Sequence, residues 1–142
     1  MELKEKAQAF AEEMLRVKNF VPAISIEGFE EATDSRRGDG TYQKIIRAME
    51  ILKAKKLPFG ISCCYTSANA EVIGSEEYFD YMVELGAKFA WFFTYMPVGK
   101  GAVTDLIARP EAEAITISMP MAILNHVRLS IILIPISGKR HY

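Results

Sequence analysis

Leu3, Ala7, Phe10, Met14 and Val17 recur at helical spacing between charged positions, which predicts an amphipathic helix over residues 2–17. "FVPAISI" follows as a short apolar run and reads as a buried strand. From Glu27 to Gly40 the pattern is polar and acidic and reads as a loop. Thr41 is then the expected N-cap of a second helix, with Ile45, Met49 and Leu52 facing inward and a lysine-rich end at Lys53, Lys55 and Lys56. Pro58 stops that helix, and "FGISCCYT" is the second strand.

Ser75, followed by Glu76 and Glu77, has the chemistry of a helix start: a hydroxyl for free amides and carboxylates at the positive end of the dipole. Phe79, Met82 and Leu85 carry its apolar face, and Gly86 ends it. A third strand is expected from Ala87 to about Tyr95. Helices that alternate with strands imply right-handed crossovers and parallel pairing, hence an α/β layer or part of a barrel.

The alternation fails after Pro110. All 18 acidic residues lie at or before Glu113, and residues 114–136 contain none. Pro120, Asn125, His126 and Arg128 interrupt this apolar stretch, so a membrane span is not the expected reading. Aggregation-prone strands, or a segment foreign to the fold, suit it better. The chain therefore divides into a folded part, 1–113, and an atypical hydrophobic tail, 114–142.

The net charge of -1 lacks the basic footprint of a nucleic-acid binder, so no nucleic-acid partner is expected. "MELKEKAQAF" has no apolar core of a signal peptide, which makes the cytoplasm the expected location. Cys63 and Cys64 are adjacent within a strand and point to opposite faces, which suits neither a disulfide nor a chelating pair. His126 and His141 have no cysteine or carboxylate at metal-ligand spacing.

In parallel α/β folds the ligand face lies at the carboxyl ends of the strands. The first strand brings Ser25 and Glu27 to one face by the two-residue period, with Gly28 beside them. The second ends in Tyr65, Thr66, Ser67 and Asn69, and the third in Thr94 and Tyr95 before "MPVGKG". A hydroxyl and a carboxylate suit a ribose diol, and an arginine fork suits a carboxylate. The same Ser, Glu and Arg set also suits a salt bridge that fixes a loop. Neither "GDG" nor "GKG" has the spacing of a phosphate loop. The run Trp91, Phe92, Phe93, Tyr95 reads as core packing, with its alternate residues placed to line a barrel interior.

"PAISIEGFEEATDSRRGDGTYQKIIRAMEILKAKKLPFGISCCYTSAN" and "GAKFAWFFTYMPVGKGA" resemble the middle of a radical S-adenosylmethionine (radical SAM) protein. The resemblance runs from about Glu12 to Glu113. It rests on a strand that ends in Ser-Ile-Glu-Gly, an Asp-x-x-Arg-Gly turn, a helix, a strand that closes on Asn, and a Met-Pro-Val-Gly exit. It implies a fragment of a partial (β/α)6 TIM-like barrel holding three or four parallel strands, the family's fourth to sixth. It also implies that Ser25 and Glu27 face the ribose and amino-acid part of S-adenosylmethionine, that Arg37 meets the methionyl carboxylate, and that Asn69 lies near the nucleoside. Arg36 is the less favoured of the two arginines.

The departures are as informative. Such enzymes cleave S-adenosylmethionine with a 4Fe-4S cluster held by Cys-x3-Cys-x2-Cys, and neither that motif nor the family's Gly-Gly-Glu-Pro segment is in this sequence. The expectation is a truncated gene or gene fragment with a frame shift near residue 113, lacking cluster and radical chemistry alone. The alternative is a non-catalytic interaction module. In either case three strands leave two open sheet edges, a route to self-association.

Overall fold

The structure is a computed structural model that describes residues 3–108 and 130–134. Helix α1 (Leu3–Val17) leads into strand β1 (Ala23–Ser25), then α2 (Glu30–Arg37) and α3 (Thr41–Ala54). Strand β2 (Gly60–Tyr65), the single turn α4 (Ala70–Ile73), α5 (Glu76–Glu84) and β3 (Phe89–Thr94) follow, and β4 (Ser130–Ile134) closes the described chain. All neighbouring strands pair in parallel, in the order β1-β2-β3-β4. The expected α/β layer of alternating units is therefore present.

Alternation along the strands sorts their side chains. Ile61, Cys63, Ala90 and Phe92 are buried beneath the helices, where Phe92 meets Phe79 of α5 at a ring distance of 5.8 Å. Ile26 continues β1 by donating from its amide to the Ser62 carbonyl and lies in the same core. Met14, Met49, Phe59, Phe79 and Met82 complete that core. The opposite, inner face then receives Ser25 and Glu27, Ser62 and Cys64, and Trp91 and Phe93. At its lower end Gly60 lies beside Phe89, whose ring occupies the space that a β-carbon on Gly60 would need, at 2.4 Å.

Several expectations are corrected. The acidic stretch after Gly28 is mostly helix rather than loop. Glu30 and Glu31 sit in the first turn of α2 and Arg36 and Arg37 in its last, so both charge types favour the helix dipole. Thr41 is the first residue of α3, not its cap; Gly40 takes that position with φ 73°, and the Asp34 carboxylate accepts from the amides of Gly40 (2.8 Å) and Tyr42 (2.7 Å). Ser75 does cap α5, accepting from the Tyr78 amide at 3.2 Å. The strands are shorter than their apolar runs: Phe20 and Val21 lie exposed ahead of β1. In α1 the burial centres on Ala11 and Met14, while Phe10 and Val17 stay exposed, so the predicted stripe is only partly used.

β4 pairs Phe89 with Ser130 and Phe93 with Ile134, so β3 is an interior strand and not an open edge. Among the described residues the outer strands are β1 and β4. The remaining expectations for 114–142, including both histidines, lie outside the described residues. Among the described residues no helix is long and apolar enough to cross a membrane.

Candidate functional site

A cleft of about 670 Å³ opens at the carboxyl ends of the strands. Its walls come from the end of β1 (Glu27), one face of α2 (Glu31, Ala32, Arg36), the turn after β2 (Thr66, Asn69) and Tyr95 beyond β3. Gly28 makes the sharp exit from β1 with φ 119°, a left-handed conformation that side chains rarely adopt.

Glu27 is 1 % exposed and charged, so its burial requires compensation. Arg37 supplies it with a two-pronged grip, Nε donating to Oε2 at 2.5 Å and Nη2 to Oε1 at 2.7 Å. The hydrogen-bonded carboxylate pushes the Arg37 pKa above the ordinary arginine value. The Glu27 amide donates to Thr33 Oγ1 at 3.3 Å, and its carbonyl accepts from Asn69 Nδ2 at 3.2 Å. Asn69 also donates to the Cys64 carbonyl at 3.1 Å and accepts from the Thr66 amide at 2.7 Å. Its side chain thus ties the end of β1 to the end of β2.

Of the four residues singled out by sequence, three are joined: Arg37 holds Glu27, and Asn69 holds the Glu27 backbone. Ser25 stands apart, half-buried on the inner face, with no side-chain hydrogen bond among the described residues. The structure adds residues that the strand-end pattern did not single out. Thr33 is fully buried and bonds back to β1, although its place in an acidic stretch gave no signal. Arg36 lines the cleft, and Arg37 is not among the lining residues. Tyr95 also lines the cleft and accepts from the Val103 amide at 3.2 Å.

The cysteines divide as their adjacency requires. Cys63 is buried on the helix side, 3.4 Å from Tyr78 Oη, and Cys64 is half-buried on the inner face. Burial pushes the Cys63 thiol up from 9.0 to about 12 and raises Tyr78 as well. The folded state keeps a proton on Cys63 that the unfolded chain releases near pH 9, so stability is full below that pH and falls as pH rises towards 12. The expected loss is about 1.4 kcal/mol per pH unit above 9 from Cys63, measured as urea unfolding from pH 8 to 10.5. Cys63→Ala should flatten this slope.

Three comparisons bear on this arrangement. No family model matches the chain. The AdoMet-dependent heme synthase of Methanosarcina barkeri (strain Fusaro / DSM 804) is 30% identical over 95 residues, which is 66% of this chain and 27% of that protein. Native anSMEcpe with bound AdoMet superposes with a TM-score of 0.66 at 24% identity, over 87% of this chain and 36% of that one. The same protein with bound AdoMet and Kp18Cys peptide gives 0.65 at 24% identity, over 90% and 36%. At that identity the structural likeness is one of fold: the parallel sheet and its helices form part of a TIM-like barrel. The chain spans about a quarter to a third of the length of these proteins. Over the stretch they share, it is related to the radical SAM superfamily.

Proposed function

We propose that this chain provides the part of a radical SAM protein that holds S-adenosylmethionine at the carboxyl ends of its parallel strands. The observation that carries the reading is the buried Glu27 carboxylate, gripped by Arg37 in the wall of the cleft. A surface loop bridge needs no such burial. Each Glu27 oxygen keeps a lone pair beyond the Arg37 grip and can accept from a ribose hydroxyl. Ser25 offers an unspent hydroxyl one strand step deeper on the same face. Asn69 lies in the nucleoside wall and holds two strand ends in register. The structures of anSMEcpe with bound AdoMet support a small-molecule ligand of this kind.

The residues described here do not fit the family's 4Fe-4S cluster. That cluster supplies the electron for cleavage of S-adenosylmethionine and needs three thiolates on one loop. This sequence has two cysteines, on opposite faces of one strand, and burial keeps Cys63 protonated. The reading is therefore one of binding by this chain, with cleavage and substrate belonging to a whole family protein. That same mismatch favours, as a second reading, a non-catalytic module.

Calorimetric titration of S-adenosylmethionine into the full chain tests the binding. Ser25→Ala should weaken it about fivefold, the worth of about one hydrogen bond, at an unchanged melting temperature. Glu27→Gln should weaken it about tenfold or more. Parent protein that does not bind, or both variants binding as the parent does, would discard the assignment.

A further inference from the structure

A second concavity, of about 360 Å³, shares no lining residue with the cleft at the strand ends. Helix α1 supplies one wall with Ala7 and Phe10, α3 supplies another with Ile45 and Ala48, and β1 contributes Ile24. The two helices are drawn together further along: Met14 and Leu52 are buried in the common core, and Lys55 pairs with Glu12 at 3.4 Å. Nearer their N-terminal ends both walls carry alanine, Ala7 and Ala48, whose short side chains leave a groove between the helices.

The groove is apolar except for Thr41 and Lys44, which lie three residues apart and so on one face at the start of α3. Thr41 spends its hydroxyl hydrogen on the Arg37 carbonyl at 3.2 Å. Lys44 makes no ion pair among the described residues. No carboxylate lines the groove, so the one charge at its wall is the Lys44 ammonium.

We propose that this groove binds a straight-chain carboxylate, with the alkyl chain between Ala7 and Ala48 and the carboxylate on Lys44. A polar group carried between the apolar walls would lose its water and find no partner, which selects an alkyl chain for that part of the ligand. An ammonium with no acid beside it selects an anionic end, since a cationic head would be repelled there and a neutral one would leave the charge unpaired. The volume lies near the small end of ligand pockets, about 300–1,000 Å³, and suits one chain rather than a partner's helix. Filling the groove also takes apolar surface out of water, Phe10 being 58 % exposed at its wall.

Calorimetric titration of decanoate and of decanol into the full chain tests the proposal. The parent should bind decanoate saturably and about fivefold more tightly than decanol, the worth of one exposed ion pair. Lys44→Gln should bring the two ligands to within about twofold of each other by weakening decanoate alone. Ala48→Phe, which fills the groove from α3, should weaken both by about tenfold or more without lowering the melting temperature, and Ala7→Leu should do the same from α1. A parent that takes up no decanoate, or two filled variants that bind it as the parent does, overturns the groove as the site. A Lys44→Gln protein that keeps the parental preference overturns the place given to the carboxylate.

Discussion

Arg37→Ala is expected to lower the unfolding free energy by about 3 kcal/mol, seen as an earlier urea midpoint with an unchanged slope. The loss comes less from the bond itself than from what remains. Glu27, 2 % exposed at its side chain, would be left as a polar carboxyl group with no hydrogen-bonding counter-ion in a place that water scarcely reaches. A double-mutant cycle separates the two contributions. Glu27→Met with Arg37→Met should recover most of the loss, because a buried apolar pair has no charge to desolvate. A double variant as unstable as Arg37→Ala would mean that the pair's geometry, not its charge, holds this corner.

Asn69→Ala should cost a comparable amount, about 3 kcal/mol, although it removes no charge and little volume. Its amide nitrogen serves two carbonyls from different strands, and its oxygen serves the Thr66 amide. Alanine leaves these groups buried or half-buried with no partner, and each unsatisfied group carries its own desolvation penalty. Asn69→Asp tests the division of labour, since it keeps the acceptor and loses both donors. It should fall near alanine in thermal unfolding, whereas a protein close to the parent would show that the two carbonyl contacts contribute little.

The legible parts of the fold were those where one local rule dominates. Ser75 with two following glutamates fixed a helix start, and the apolar runs fixed β2 and β3 because a two-sided parallel strand must be apolar on the helix side. α2 was not legible. Its sequence, EEATDSRR, has little apolar surface to show a period, and its placement depends on Thr33 and Arg37 reaching back to β1. The cap of α3 was misread for a related reason: the acceptor is Asp34 from the preceding helix, a tertiary partner that no local pattern announces. At the site, Glu27 and Asn69 could be marked by position at the strand ends, and Arg37 only by the family resemblance. That the arginine would be consumed by the glutamate, and its neighbour turned to the cleft, depends on the direction of one helical turn.

The strand order β1-β2-β3-β4 has a consequence for how the molecule assembles. Ile24 pairs with Ile61, and Ile61 with Ala90, so among the described residues each strand pairs with the next strand in sequence and none is inserted between two that have already met. The sheet can therefore grow outwards from β2 and β3, unit by unit, with one loop closed at each step. In such a sequence the Asn69 amide is a late event, because both strand ends must already lie side by side before its two carbonyl partners exist. Its removal should then speed unfolding and leave the folding rate almost unchanged.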